Sequence, residues 1–386
     1  MDRANLVLAE ALAEQGRRVH LVAHEIDDRL LALPNVTVHF VPRAFGATLL
    51  GERALHRAGR TVAEKVTRTF PDARVVVNGG NCAWPDINWV HCVHSAWPTL
   101  HVAGAPLWFR AKSSIHKRKA IADESQAFKE PKLFVANSGR TKQDLIGWGV
   151  APGRIQVVYL GSDPDWKPAT GNEKSKARAK FGIPENARVV GFVGALGYDR
   201  NKGFDTLLAA FKKVERDDLF VLAGGGGRGL EHWRNEVGRT GLATRVRLIG
   251  FTAQVSDVYA ASDLLVSPVR YEAYGLNVHE AICRGVPAIV SASAGVAEVY
   301  TSAASRFLLR DPESAEELKA KIEDSLYDPL QAQREFEPVA GRLRNRTGRQ
   351  MAAEIIALSE NRKPEFVETR GSRAQDSSIQ TAENIC

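Results

Sequence analysis

The sequence has 386 residues, of which 44% are hydrophobic and 25% are charged, with 52 Lys and Arg against 45 Asp and Glu. These proportions are typical of soluble globular proteins and exclude a disordered or fibrous chain, and the length predicts two domains. No apolar run approaches the roughly 20 residues of a membrane-spanning helix and the start lacks a signal-peptide pattern, so we expect a cytosolic location.

The first predicted element is a helix over Asn5–Gln15, in which apolar residues recur at helical spacing, and a strand over Arg18–Ala23 follows it. A doubly wound domain normally begins with a strand and a glycine-rich turn before its first helix. Both are missing before Asn5. Either translation begins upstream of Met1, which we favour, or the first sheet lacks its central strand.

Short β-branched runs alternate with amphipathic stretches along most of the chain. This pattern predicts an α/β fold in which helices cover parallel sheets. The predicted strands are Arg18–Ala23, Val36–Val41, Arg74–Val77, Asn88–Val93, Leu133–Ala136, Ile155–Tyr159, Arg188–Val193, Leu219–Ala223, Val246–Ile249, Leu264–Ser267 and Ala288–Ser291.

A proline-punctuated stretch over residues 161–168, followed by a polar run, predicts the domain boundary. We therefore expect an N-terminal domain over residues 1–162 and a C-terminal domain over residues 163–345. A helix over residues 346–362 is expected to pack back toward the N-terminal domain. The polar residues 363–386 are predicted to form a disordered tail.

Two histidines, His91 and His94, flank the end of a predicted strand. A metal site would need a third ligand at suitable spacing, and the sequence offers none. The cysteines also lack the spacing of a metal site or a disulfide framework; they are Cys82, Cys92, Cys283 and Cys386. We expect His94 to line the acceptor side of a cleft and His91 to be structural.

Two cations, Arg200 and Lys202, lie in the loop that begins with Gly194, directly after the strand Arg188–Val193. Cations at a strand end can neutralise a diphosphate whose negative charge grows as it leaves. The alternative is that both are solvated surface charges.

The run Gly224–Gly229 formally satisfies the dinucleotide fingerprint G-x-G-x-x-G. That fingerprint also needs a carboxylate about 20 residues further on, at the end of the next strand. The next strand ends in Ile249-Gly250-Phe251, without a carboxylate. The glycines therefore predict a flexible loop beside a ligand and not a nicotinamide or flavin site.

The strongest pattern follows the strand Leu264–Ser267, where a loop carries Glu272 and a helix begins near Gly275. The free N–H groups at such a helix start can bind phosphate. Glu272 and Glu280, at different depths, can accept hydrogen bonds from sugar and ribose hydroxyls. Both could instead be solvated, but the apolar neighbours of Glu280 favour a partly buried carboxylate that needs a partner.

Taken in this order, the motifs resemble glycosyltransferase family 4, a group of retaining enzymes with the GT-B fold. The resemblance covers the chain to about Ser359 and rests on the motifs Arg200-x-Lys202-Gly203, Glu272-x7-Glu280, Gly285-x-Pro287, Gly295-Val296-Ala297-Glu298, Ala136-Asn137-Ser138 and Gly161-Ser162-Asp163. It implies two Rossmann-like doubly wound domains that face a central cleft.

The resemblance also implies roles for individual residues. Arg200 and Lys202 would bind the diphosphate of the sugar donor, and Glu280 its ribose. The expected catalytic residues are His94, Glu272, Arg200 and Lys202, with Glu272 on the transferred sugar. Further donor-binding residues would be Gly194, Gly250, Phe251, Thr252, Tyr274, Gly275 and Leu276. No metal or other cofactor is expected.

The expected activity is a hexosyltransferase-like transfer from a UDP- or GDP-sugar to a carbohydrate, lipid or small-molecule acceptor, in glycan, polysaccharide or glycolipid synthesis. Two alternatives stay open. A sugar-nucleotide epimerase of the GT-B type would use the same crevice, and so would a non-catalytic nucleotide-sugar-binding protein.

The net charge of +7 suits nucleic acid, anionic lipid and anionic substrates equally. No motif supports nucleic-acid binding. The segments Leu107–Lys112 and His116–Lys119 join aromatic and basic residues. They suit either a peripheral contact with an anionic membrane at its inner face or a solvated basic loop.

Overall fold

The structure is a computed structural model that describes residues 2–42 and 48–360, and these residues form two α/β halves. The predicted tail over residues 363–386 lies outside the described residues. Among the helices of the described ranges, none combines the length and apolarity needed to cross a membrane.

The N-terminal half contains six strands and five helices in the described ranges. They are α1 (Asp2–Glu14), β1 (Val19–Ala23), α2 (Asp28–Leu31), β2 (Val36–Phe40), α3 (Thr48–Thr69), β3 (Val76–Asn78), β4 (Ile87–Val90), α4 (Leu107–Ala127), β5 (Leu133–Ala136), α5 (Gly139–Gly147) and β6 (Ile155–Val157).

These six strands form two separate parallel sheets, β1-β2 and β3-β4-β5-β6. Within the described residues, no further strand pairs with the outer edge of β1 or of β3. Both edges line a cavity of about 1430 Å³, which α1 also borders. The N-terminal half therefore has a divided sheet, with the division beside the opening helix.

The C-terminal half has a first regular element that begins at Gly171. Its elements are α6 (Gly171–Lys180), β7 (Arg188–Val193), α7 (Phe204–Phe211), β8 (Leu219–Gly224), α8 (Leu230–Arg239), β9 (Val246–Gly250), α9 (Val255–Ala261), β10 (Leu264–Ser267), α10 (Leu276–Cys283), β11 (Ala288–Ser291), β12 (Leu308–Leu309), α11 (Ala315–Tyr327), α12 (Pro329–Asn345) and α13 (Gly348–Ser359).

The strands of this half form one six-stranded parallel sheet in the order β12-β11-β10-β7-β8-β9. Its strands are nearly continuous apolar runs, as parallel strands covered by helices on both faces must be. The order reverses between β7 and β10. In an open α/β sheet, ligands bind in the crevice at the carboxyl ends of such a pair of strands.

The last helix, α13, returns to the N-terminal half and packs against α1. Met351 and Ile355 lie in one buried cluster with Leu8 and with Trp89 of β4. The returning chain is fixed where Arg346 donates to the carbonyl oxygen of Tyr159 at 2.8 Å. The two halves are thus joined twice, at this crossing and at the segment before α6.

The structure corrects one predicted strand in the region of the histidines. The strand expected over Asn88–Val93 ends at Val90. Beyond it, the N–H of Val93 donates to the hydroxyl of Tyr271 at 3.0 Å, and the N–H of His94 donates to the Glu124 carboxylate. Because these N–H groups bind side chains, they are not used in a strand ladder.

Candidate functional site

The candidate site lies where the strand order of the C-terminal sheet reverses. The loop after β7 and the loop after β10 leave neighbouring strands at the same edge of the sheet. Asn201 joins them, because its amide donates to the carbonyl oxygen of Tyr271 at 2.9 Å and accepts from the N–H of Tyr271 at 2.8 Å. One buried side chain therefore fixes the two loops against each other.

Lys202 and Glu272 form an ion pair across these two loops. The ammonium of Lys202 lies 2.6 Å from a carboxylate oxygen of Glu272, and both side chains are partly exposed. The two residues are 70 positions apart in the sequence, and the neighbouring strands bring them together. The pair offers a cation and an anion to one ligand.

Arg200 lies in the same loop but has a different partner. Its guanidinium donates to Asp205 at 2.7 Å. Arg270, which is buried, donates to both oxygens of the same carboxylate at 3.0 and 2.8 Å. Asp205 of α7 therefore holds the guanidinium of Arg200, whereas the ammonium of Lys202 faces Glu272.

The residues around the end of β9 continue this edge of the sheet. The N–H of Gly194 donates to the carbonyl oxygen of Gly224 at 3.0 Å, and the N–H of Gly225 donates to that of Gly250 at 2.8 Å. Phe251 is 82% exposed. The hydroxyl of Thr252 accepts from the N–H of Gln254 at 3.0 Å. The backbones of these glycines are thus joined by hydrogen bonds, and the Phe251 side chain is exposed beside them.

Helix α10 follows the loop that carries Glu272, and its start depends on a glycine. Gly275 has φ +114°, and a Cβ there would lie 2.9 Å from Val296 Cγ1. A residue with a side chain would be strained in both respects. Leu276 follows as the first helical residue. Gly275 therefore lets the chain turn sharply from Glu272 into the helix.

Glu280 lies one helical turn into α10 and borders the large cavity. Its carboxylate accepts from the hydroxyl of Tyr259 at 3.0 Å. Burial raises the pKa of Glu280, while the bond from Tyr259 acts in the opposite direction. A partly buried carboxylate with one partner among the described residues can still accept hydrogen bonds from a hydroxylated ligand.

The structure does not place the Tyr274 side chain where its expected role in donor binding would need it. Its side chain is buried in the cluster that contains Met351, and its hydroxyl lies 2.7 Å from Nδ1 of His279. The ring therefore belongs to the contact with α13 and does not face the loops of the site. Only the backbone of Tyr274 lies beside Gly275.

The N-terminal half contributes the loop after β4, which contains His94. Nδ1 of His94 lies 2.7 Å from Glu124. The same loop reaches the C-terminal half, because the Trp97 and Tyr271 rings lie 5.8 Å apart. Burial raises the pKa of Cys92 to about 12, with the Glu124 and Glu272 carboxylates adding to it. The loop that carries His94 and the loop that carries Glu272 thus meet between the halves, at Trp97 and Tyr271.

His91 lies in the interior, beside the core of the N-terminal half. Its ring packs 4.5 Å from the Trp89 ring, and burial lowers its pKa to about 3. Its backbone carbonyl accepts from the amide of Asn137 at 3.1 Å. No group of three or more His, Cys, Asp or Glu side chains in the described ranges is arranged to hold a metal ion.

The structure also identifies four residues of the site that the sequence motifs do not indicate. They are Glu124, Asn201, Tyr259 and Arg270. Asn201 stands between the two cations and Arg270 lies in the loop that carries Glu272, so both belong to loops that the sequence patterns mark. Glu124 and Tyr259 come from separate helices, and no local pattern marks them.

Two family models match this chain. One, described as Glycosyltransferase Family 4, matches residues 2–166, and the other, described as Glycosyl transferases group 1, matches residues 173–342. The D-inositol 3-phosphate glycosyltransferase of Corynebacterium aurimucosum is 30% identical over 217 residues, which cover 53% of this chain and 51% of that protein. The chain spans about half the length of the curated relatives it matches.

Solved structures resemble most of the chain. WaaG, a glycosyltransferase involved in lipopolysaccharide biosynthesis, matches with a TM-score of 0.69 at 19% identity, over 92% of this chain and 95% of that one. HepE of Anabaena, solved with UDP and glucose, matches with a TM-score of 0.67 at 19% identity, over 93% and 96%. These likenesses show the GT-B fold. Because the two family models follow each other along both halves of that fold, the chain belongs to the family 4, group 1 glycosyltransferases.

Proposed function

We propose that this protein is a retaining glycosyltransferase that moves a sugar from a UDP- or GDP-sugar to a hydroxyl of a carbohydrate, lipid or small-molecule acceptor. The observation that carries the proposal is the Lys202–Glu272 pair at the strand-order reversal, with His94 on the opposite half. A cation for phosphate, a carboxylate for sugar hydroxyls and an imidazole ring that can act as a base thus lie on loops that meet between the two halves.

Each group has a role that follows from its chemistry. Lys202 neutralises the diphosphate, whose charge grows in the transition state, and Arg200 joins it when the ligand competes with Asp205. The carboxylate of Glu280 accepts from the ribose, and that of Glu272 from the transferred sugar. Phe251 supplies an exposed ring for the nucleobase. UDP-sugars are the first candidates, because HepE has been solved with UDP-glucose.

The acceptor is a hydroxylated molecule, and the relatives named for D-inositol 3-phosphate make a polyol phosphate the first to test. We also propose that transfer needs no metal ion, because Lys202 and the start of α10 supply the positive potential that a phosphate requires.

We expect a panel of UDP- and GDP-sugars to contain one that raises the melting temperature by about 5–10 °C at about 100 times its Kd, with or without EDTA. A ligand that binds only the folded state must stabilise it, and the cations of the site need no metal to do so. No shift with any nucleotide sugar would refute the proposal. A shift that EDTA abolishes would refute metal independence alone.

The same panel separates the two alternatives. Incubation with the stabilising donor and no acceptor would yield an isomerised nucleotide sugar if the protein were an epimerase. A binding protein would be stabilised without converting the donor, whether or not an acceptor is present. A transferase releases the nucleoside diphosphate in step with a glycosylated acceptor.

We further propose that helix α4 contacts an anionic membrane surface. Leu107, Trp108 and Ile115 are exposed on this helix. Three basic residues, Arg110, Lys112 and Arg118, are exposed on it as well. Exposed apolar side chains beside basic ones on one helix suit an anionic bilayer surface. The acceptor would then be reached from the bilayer surface.

We expect the protein to co-sediment with phosphatidylcholine vesicles that contain phosphatidylglycerol, and less with phosphatidylcholine alone. The double variant K112E/R118E should weaken binding at least about 30-fold, since each basic residue near the surface is worth about 1 kcal/mol. R234E/R239E is the matched control, because it reverses two exposed charges on α8. Equal loss in both variants, or no preference for the anionic vesicles, would refute the contact.

A further inference from the structure

Glu124 is a buried carboxylate that the proposed chemistry does not use. Its residue is 1% exposed. His94 donates to it from the backbone N–H at 3.0 and 3.1 Å, and Nδ1 of the same residue lies 2.7 Å away. Within the described part of the chain no Lys or Arg pairs with it. A buried carboxylate needs partners, and His94 alone supplies them.

The bond to Nδ1 decides where the imidazole carries its proton. Both oxygens of Glu124 already accept from the His94 N–H, so the carboxylate acts as the acceptor and Nδ1 of His94 donates to it. In the neutral ring Nε2 is then an acceptor. The His94 side chain is 42% exposed. Nε2 has no hydrogen-bond partner in the described residues. The neutral ring therefore has an acceptor atom that is available to a ligand.

The surroundings keep Glu124 in this position. It lies near the end of α4, and Gly80 packs against that helix so closely that a Cβ there would lie 3.1 Å from the Glu124 N and 3.3 Å from its Cγ. Because two groups of His94 bind one carboxylate, both the loop and the ring are oriented. Such a partner holds a ring in one tautomer and one orientation.

We propose that Glu124 is a positioning residue that fixes His94 in the Nδ1–H tautomer, so that Nε2 accepts a hydrogen bond from a hydroxyl of the transferred sugar or of the acceptor. The proposal rests on the proposed function for the identity of that hydroxyl. The tautomer itself depends only on the contact between Glu124 and His94.

The first test is the tautomer of His94 in the protein labelled with 15N-histidine, at about pH 8, where an ordinary imidazole is neutral. The His94→Gln variant assigns its resonances. We expect a protonated Nδ1 and an unprotonated Nε2 in the wild type. In Glu124→Met, which keeps the length but has no acceptor, the Nε2–H form should predominate. Asp123→Asn, the neighbouring residue on α4, should leave the tautomer unchanged.

The second test is kinetic and uses the donor that the panel identifies. In Glu124→Gln we expect kcat to fall about 10–100-fold while the donor still raises the melting temperature as in the wild type. A protonated Nε2 in the wild type, or an unchanged tautomer in Glu124→Met, would overturn the proposal. If no donor binds, the proposed function fails while the tautomer result stands. If the Glu124 variants do not fold, the wild-type spectrum still decides.

Discussion

Replacing Lys202 by Met is expected to lower kcat/KM for sugar transfer about 10²–10³-fold, which is the usual effect of removing one group that stabilises charge in a transition state. Lys202 is the cation that faces Glu272, at 2.6 Å, on the edge where the strand order reverses. Glu272→Gln keeps the shape but loses the charge, so we expect a loss of similar size. The double variant should lose less than the product of the two effects, because the groups act as a unit.

Lys174→Met is the matched control for this prediction. Lys174 also pairs with a carboxylate at 2.6 Å, on Asp263 of the same half, and Asp263 keeps its second partner, Arg178, at 2.9 Å. This variant should transfer sugar at nearly the wild-type rate. If Lys202→Met and Lys174→Met were equally active and the folded state were intact in both, the pair at the strand-order reversal would not be the site of transfer.

The sequence was sufficient to predict most of the C-terminal half. Strands such as Arg188–Val193 and Leu264–Ser267 begin and end as expected, because each is a nearly continuous apolar run bounded by turn-forming residues. Lys202 and Glu272 each follow one of these strands. Their contact depends on the two strands being neighbours, and only the fold provides that information.

The rest depends on contacts between residues far apart in the chain. Glu124 meets His94 only because α4 packs beside the loop after β4, and no local spacing marks that pair. The side chain of Tyr274 turns inward because α13 returns to cover it, which the motif around Gly275 does not reveal. Similarly, β4 ends early because Tyr271 from the other half binds the N–H of Val93.

Gly203→Ala is expected to destabilise the protein by about 2–5 kcal/mol and to abolish stabilisation by the sugar donor. Gly203 has φ +75°, a conformation that costs a residue with a side chain about 1–2 kcal/mol. A Cβ there would also collide with the carbonyl oxygen of Pro268 and lie 2.8 Å from its carbon, and overpacking typically costs a further 1–3 kcal/mol. Because Gly203 follows Lys202 and Pro268 begins the loop that carries Glu272, relief of the collision must shift these two loops relative to each other.

Gly241→Ala separates the two causes of this loss. Gly241 has nearly the same backbone conformation, φ +72°, but no atom lies within 4 Å of the position that its Cβ would take. Urea unfolding should therefore show a loss of about 1 kcal/mol for Gly241→Ala, with stabilisation by the sugar donor unchanged. Equal losses in the two variants would mean that backbone conformation alone determines the effect. In that case, the close packing of the loops after β7 and β10 would not be what holds Lys202 and Glu272 together.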